Sequence, residues 1–494
     1  MTPLDTTALG GVLLAAVVGW RWPRLALPAA VSAVGLLGLQ ALAAARWQYV
    51  PAYVAAAVLL STNAIRSARG GGAEADRGSG ALAAIAVPLA LVTLVAGTAL
   101  PVLSLSAPTG VGTTSYTLLD DSRTHPSGPA GVPRALPVQV WYPTEATDGP
   151  RNPVTRRPAE FADVAGGFLG LPPLLLRHLG LARTAAIVDE PLPTQPLPVV
   201  VSIHGWGGFR AAQAQLLESL AADGHLVIAM DHAYGALASQ PVDGGEIIGI
   251  DPDLLPDGAP YDVYDRASTE LERLFRDDVL ALVADLAAGG GPSGEGAGAD
   301  VLAAADLDRL VIQGHSTGGG AAIWACAELG VPVCDGVIGH DPWVEPLPPE
   351  VRRAGLDVPL VSLRSEPWVG DDNDAVLVDV HAATDRAVGL AIPGTLHRDV
   401  TVLPLLTPLS SQLGLSGARD PAETHRLTEA ITSAGLAWML GTGSGRVDLL
   451  TDPPPRRRRL RTPVRPARCR SAPRPAPGLD RWRRLPAGGR RTRS

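Results

Sequence analysis

The spacing of apolar and polar positions along this chain changes twice, near residue 106 and near residue 450. Before residue 106 the chain is almost continuously Ala, Leu, Val and Gly. A bilayer span needs roughly 20 apolar residues. Segments 25–45, 47–65 and 81–105 meet that length, and the shorter 6–20 reads as a further span or a signal-like start. Residues 1–106 are therefore expected to form a transmembrane region of three to four helices. Arg21 and Arg24, then Arg66, Arg69 and Arg77, put most of the connecting charge in two loops. The positive-inside rule assigns those loops to the cytoplasm, and the N-terminus and everything after the last span to the outside. Trp20, Trp22, Trp47 and Tyr49 fall at segment ends, as an interfacial aromatic belt requires. The apolar segments contain no charge pair of the kind that marks a transporter.

From 107 to 450 the pattern becomes that of a soluble domain. Val138 to Pro143 alternates like a strand. Leu197 to Ile203 is a near-continuous apolar run, the signature of a parallel strand buried on both faces. Further strands are expected at 226–230, 310–312, 336–339, 358–363 and 388–392. Helices are expected at 211–223, 271–286 and 421–440, with a short one at 168–181 near a site entrance. Strands alternating with helices predict a mostly parallel α/β sheet flanked by helices.

In such sheets functional groups gather at the carboxyl ends of strands. Gly314-His315-Ser316-Thr317-Gly318 follows the strand at 310–312 and leads into the small-residue run Gly319-Gly320-Ala321-Ala322. That is the layout of a nucleophile elbow, in which a sharp strand-to-helix turn presents the serine oxygen. His204-Gly205-Trp206-Gly207-Gly208 is a candidate oxyanion loop, with the backbone N–H groups of Trp206 and Thr317 as donors. Serine needs a base, and of ten histidines His397 alone lies in a loop after a late strand. For the acid, spacing leaves Asp341, after the strand that follows the nucleophile helix, level with Glu366, Asp371, Asp372 and Asp374, after the next. The chain order Ser, Asp, His is that of α/β-hydrolases.

These residues resemble the secreted platelet-activating-factor acetylhydrolase family of α/β-hydrolases. The resemblance covers roughly 138–440. It rests on Trp141-Tyr142-Pro143, the block Leu197 to Arg210, Asp231-His232, the elbow, His340-Asp341-Pro342-Trp343, Ser365-Glu366 and Gly394-Thr395-Leu396-His397. It implies that the acid is Asp341, within Asp341-Pro342-Trp343, and that the substrate is a phospholipid ester with a short or oxidised acyl chain. A weaker similarity to bacterial polyester hydrolases would take the acid from the later strand. The family's mammalian members lack several membrane spans.

Composition adds three points. The last 39 residues carry 15 arginines and one acid, Asp480, so 451–494 reads as a disordered Pro/Arg-rich tail on an otherwise acidic chain. The acidity of the folded part disfavours nucleic-acid binding. Cys326 and Cys334 are close enough in sequence to pair in an oxidising compartment, with two buried thiols as the alternative. The Gly-rich stretch 289–298 lacks a lysine and reads as a loop rather than a phosphate cradle. No metal or organic cofactor is implied. The expected protein is a multi-pass, membrane-embedded serine ester hydrolase with an extracytoplasmic catalytic domain. The rival readings are a short-chain or polyester esterase, acyl transfer by the same residues, and a non-catalytic membrane sensor that keeps the fold.

Overall fold

The computed structural model describes residues 3–442 except 45, 69–72, 104, 106–107, 243, 289–302 and 332. The 289–298 stretch and the 451–494 tail lie outside the described residues.

Four N-terminal helices, α1 (Pro3–Arg21), α2 (Ala26–Ala44), α3 (Val50–Ala68) and α4 (Ala73–Ala99), pack as a bundle. Their mutual interior is built from small residues, among them Ala8, Ala15, Ala30, Ala33, Ala52, Ala55, Ala86 and Ala90. Small side chains let the backbones approach closely. Large apolar side chains point outward instead: Leu14, Val17, Leu39, Leu42, Val54 and Val95 are exposed. By length and hydropathy two segments, Pro3–Arg21 and Pro23–Ala43, are able to cross a membrane. Ala84–Ala99 is shorter. Buried Asp5 at the start of α1 pairs with Arg46 between α2 and α3. This charge pair sits at the ends of the apolar segments.

The remainder is one ten-stranded sheet. Its strands are β1 (Val111–Thr124), β2 (Pro133–Pro143), β3 (Arg151–Pro153), β4 (Arg183–Val188), β5 (Leu197–Ile203), β6 (Leu226–Met230), β9 (Ala305–His315), β10 (Gly336–His340), β11 (Leu360–Ser365) and β12 (Ala387–Ile392). The pair β7 (Ala238–Ser239) and β8 (Ile248–Gly249) forms a separate ribbon. The spatial order is β12-β11-β10-β9-β5-β6-β2-β1-β4-β3. From β12 to β6 all neighbours are parallel; β2 is antiparallel to both β6 and β1.

Helices cover both faces: α5 (Pro158–Leu169), α6 (Ala214–Ala222), α7 (Tyr261–Ala287), α8 (Thr317–Leu329), α9 (Pro349–Ala354), α10 (Asp372–Ala382) and α11 (Pro421–Met439). The period-2 alternation of a strand explains why the apolar runs are continuous. In β5, Val199, Val201 and Ile203 join a core under α7 and α8, whereas Val200 joins the core with Leu216, Leu220 and Leu436 from α6 and α11. Leu310 and Ile312 of β9 face the first layer and Val311 the second. The mostly parallel sheet with flanking helices is the α/β-hydrolase architecture that the sequence predicts.

Three expectations need correction. Residues 168–181 are not one helix: α5 ends at Leu169 with Gly170 in the left-handed conformation, and two 3-10 turns follow, Pro173–Leu175 and Arg177–Leu181. Pro172 and Pro173 cannot continue a helix. The helix expected at 271–286 begins ten residues earlier, at Tyr261 behind Pro260. The last apolar helix occupies Ala73–Ala99 rather than 81–105.

The bundle meets the sheet domain directly. Thr407 Oγ1 donates to Ala99 O at 2.5 Å, at the end of α4. Leu103 and Leu105 pack against Val154, Ala182, Ala211 and Val402.

Candidate active site

Ser316 lies between β9 and α8 with φ 58° and ψ −124°. A non-glycine residue pays for a positive φ, and such strain persists only where surrounding structure enforces it. Here the enforcement is visible. Ser316 N donates to His340 O at 3.0 Å, and Ser316 O accepts from Gly319 N at 2.8 Å and Trp343 N at 2.9 Å. Gly318 is required by crowding: a Cβ there would collide with Ile203 O and lie 2.6 Å from His204 O. A Cβ on Gly205 would sit 2.9 Å from Ser316 Cβ. The glycine loop after β5 therefore packs onto the elbow itself.

Asp341 follows β10, also at positive φ (45°). Its carboxylate is almost fully buried, and three donors fix it. Ser365 N reaches Oδ1 at 2.6 Å, Ser365 Oγ reaches Oδ2 at 2.5 Å, and His397 Nδ1 reaches Oδ2 at 3.1 Å. Three of the four rival acids are engaged elsewhere. Glu366 accepts from Gly394 N at 2.6 Å, Asp371 accepts from Asp374 N at 2.7 Å as the cap of α10, and Asp374 pairs with Arg364. Glu366 thus braces the loop that carries His397.

The His397 ring is held from both sides. The Trp368 indole stacks on it with centroids 4.3 Å apart and planes 3° apart. His315 lies 4.6 Å away on centroids, and its Nε2 is 2.8 Å from His397 O. His315 precedes Ser316, so this contact joins the histidine loop to the elbow.

In the glycine loop, Gly207 N donates to Gly235 O and Gly208 N to Gly205 O. Among the described residues the Trp206 N–H has no protein acceptor. Thr317 opens α8, where first-turn N–H groups have no partner within the helix. Behind the loop, the His232 N–H donates to His204 Nε2 at 3.2 Å, and His204 Nδ1 is 2.8 Å from Gly205 O. His204 is therefore the neutral tautomer protonated on Nδ1. Its pKa is pushed down to about 3 by burial and by neighbouring His232. His232 Nδ1 in turn meets Asp278 at 2.9 Å, and Arg134 grips Asp278 with two bonds of 2.6 Å. Burial opposes ionisation of Asp278, but Arg134 and His232 outweigh it and hold its carboxyl well below the usual range.

Sequence reasoning named Ser316, Asp341, His397, Trp206 and Thr317, and all five lie along the carboxyl edge of β5, β9, β10 and β12. It missed Trp368, Ser365 as a holder of Asp341, and the His204–His232–Asp278 chain. Asp231-His232 and Ser365-Glu366 were visible as motifs without a role. Cys326 and Cys334 are disulfide-bonded, tying the end of α8 to the start of β10.

Residues 300–442 match the family model described as platelet-activating factor acetylhydrolase, isoform II. This bears out the resemblance read from the motifs. The solved structure of a ferulic acid esterase from Streptomyces cinnamoneus superposes with a TM-score of 0.57 at 24% identity, covering 71% of this chain and 96% of that one. It shares the fold. A puromycin-hydrolysing peptidase from Mycobacterium tuberculosis also matches, at 16% identity and a TM-score of 0.36, over 67% of this chain and 40% of that one.

Proposed function

We propose that this chain is a membrane-anchored serine ester hydrolase in which Ser316, His397 and Asp341 form the catalytic triad. The observation that carries the reading is the Asp341–His397 hydrogen bond, on a ring that lies 4.6 Å from that of His315, next in sequence to Ser316 at φ 58°. The platelet-activating-factor acetylhydrolase match over the segment that holds all three residues supports it.

With Nδ1 donating to Asp341, His397 keeps its lone pair on Nε2 and accepts the Ser316 proton as the oxygen attacks the ester carbonyl. Asp341 stabilises the imidazolium. The N–H groups of Trp206 and Thr317 stabilise the oxyanion, which is usually the largest single contribution. His397 then protonates the departing alcohol, and water releases the acyl-enzyme by the same steps in reverse. The proposed substrate is a lipid or short-chain ester, with the phospholipid esters of the matched family first to be tested.

Two features support anchoring by the N-terminal helices. Mostly alanines lie inside the bundle, with a few larger residues such as Leu37 and Tyr49, while many large apolar side chains face outward, unlike a bundle that meets water. The Asp5–Arg46 pair neutralises an arginine at the domain-facing end of the bundle, and Arg21 and Arg24 lie at the opposite end, in keeping with a topology that puts the sheet domain outside. The Cys326–Cys334 disulfide agrees with an oxidising compartment. On this reading residues 1–106 are the anchor, 107–450 the catalytic domain and 451–494 a tail.

The test is hydrolysis of p-nitrophenyl esters of rising chain length by the full chain in detergent. Ser316→Ala and His397→Ala are expected to abolish turnover. Asp341→Asn should cripple it, and Glu366→Gln should leave most of it. Equal turnover by wild type and Ser316→Ala would end this reading and leave a membrane sensor with a hydrolase fold.

A further inference from the structure

His315 stands immediately before the elbow serine, and the catalytic steps above give it no role. It closes β9 and is buried. By the alternation of a strand its side chain shares a face with Val311, the face packed against Leu216 and Leu220 of α6. The segment that follows β12 is tied to the same side, where Val402 N donates to Ala212 O at 2.8 Å just ahead of α6.

That segment carries His397 and is pinned before and after it. Gly394 N donates to Glu366 at 2.6 Å, Leu396 N donates to Asp399 Oδ2 at 2.9 Å, and Val402 N closes the far side. At His397 itself the main chain makes one hydrogen bond among the described residues: its carbonyl lies 2.8 Å from His315 Nε2. A carbonyl only accepts, so His315 carries its proton on Nε2. Burial, and then neighbouring His397, hold the His315 pKa well below the ordinary histidine range. The ring is thus a neutral donor of one tautomer.

The other edge of the ring meets the glycine loop. A Cβ on Gly205 would lie 3.2 Å from His315 Nδ1 and 3.1 Å from His315 O. His315 therefore fills the corner where the elbow, the glycine loop and the histidine loop come together.

The contacts on the His397 side chain do a different job. Asp341 bonds Nδ1 and Trp368 stacks on the ring, so both set how the imidazole turns about its own side-chain bonds. Neither fixes where the loop places the His397 backbone. The bond from His315 does, and its donor is the residue next to the nucleophile. The spacing of base and nucleophile is then set by one short link rather than by the long path through β10, β11 and β12. Rate depends steeply on that spacing, because proton transfer and attack need the reacting groups already in position.

We propose that His315 is a positioning residue, whose Nε2–H bond to the His397 carbonyl holds the base at its working distance from Ser316. This rests on the ester-hydrolase reading of the site and adds to it the group that registers the base against the elbow.

The test separates the donor from the ring. His315→Phe keeps an aromatic ring and removes the N–H. His315→Gln removes the ring and returns an amide donor close to the Nε2 position. Hydrolysis of a soluble p-nitrophenyl ester is measured on the full chain in detergent, beside amide hydrogen exchange over residues 393–402. His315→Phe is expected to lower kcat about five-fold, the worth of one neutral hydrogen bond, with KM within about two-fold. Exchange over 393–402 should quicken in the same variant. His315→Gln should return both readings to within about two-fold of wild type. Should His315→Phe not fold, His315→Asn takes its place, because its shorter amide stops short of the carbonyl. Wild-type kcat in the folded Phe or Asn variant overturns the proposal. So does a loss confined to KM, or a His315→Gln enzyme as impaired as His315→Phe. A wild-type protein that turns over no ester would instead remove the catalytic reading. Exchange would then decide the contact by itself: faster exchange in His315→Phe keeps the link between the two loops, and unchanged exchange overturns it.

Discussion

Ser365→Ala is the perturbation that tests how the acid is held. Ser365 makes two contacts with Asp341, from N to Oδ1 at 2.6 Å and from Oγ to Oδ2 at 2.5 Å. Oδ2 is also the oxygen that meets His397. The substitution deletes the Oγ bond and keeps the backbone one. A hydrogen bond to a charged group contributes about 1.5–3 kcal/mol. At about 1.36 kcal/mol per decade of rate, the loss is roughly 10- to 100-fold in kcat/KM, since the surviving N–H still anchors the carboxylate. Because the lost bond orients the base rather than the substrate, kcat should carry the effect and KM should stay within about two-fold. Ser362→Ala is the control: its Oγ bonds His381 Nε2 at 2.9 Å on the same strand, away from Asp341. The assay is steady-state hydrolysis of a soluble p-nitrophenyl ester, with melting temperatures recorded for both variants. A Ser365→Ala enzyme within two-fold of wild type, or a Ser362→Ala enzyme equally impaired in kcat, would refute the assignment of Ser365 as the holder of Asp341.

Three further outcomes follow from the same geometry. Gly318→Ala forces a Cβ against the carbonyls of Ile203 and His204, so soluble folded protein should be lost or its melting temperature sharply lowered, measurable by circular dichroism; a stable, active variant would contradict the crowding. Trp368→Leu removes a stacked ring worth about 0.5–1.5 kcal/mol and should lower kcat/KM roughly 2- to 12-fold, whereas Trp368→Phe should recover most of it. Glu272 is fully buried beside Gly320 of α8 with no protein partner for either oxygen among the described residues, and burial holds its pKa well above the usual carboxylate range. The folded state therefore keeps a proton that the unfolded chain releases above its ordinary pKa, so the stability this group allows falls as pH rises from that point toward the folded pKa. Glu272→Gln should gain on wild type by about 1.4 kcal/mol per pH unit across that window, read by urea denaturation at pH 5, 6 and 7. A pH-independent difference would show that Glu272 is ionised in the fold.

The parts of the structure that sequence made legible are those where one residue type has one physical use. Val199, Val200 and Val201 are apolar in succession because both faces of β5 are buried, and that run could be read as a central parallel strand. Gly314 and Gly318 bracket the serine because no side chain fits there. His397 was proposed by elimination, and Asp341 over Glu366 only by family resemblance; in the structure Asp341 bonds His397, while Glu366 accepts from Gly394 N. Strands β1 and β4 were not legible. Thr113, Ser115 and Thr117 make β1 polar enough to read as loop, and its burial comes from pairing with β2, a tertiary fact. The 168–181 segment was misread because its leucines suggested a helix, while Pro172 and Pro173 impose separate turns. Trp368 and Asp278 meet neighbours distant in sequence, and nothing in their local pattern names those neighbours.

The most direct test of the central claim is labelling of the full-length protein with a fluorophosphonate, followed by mass spectrometry of the modified peptide. The triad account predicts a single adduct on Ser316 that forms rapidly in wild type and is nearly absent in His397→Ala. A folded protein that remains unlabelled, or carries its adduct on another residue, would contradict it.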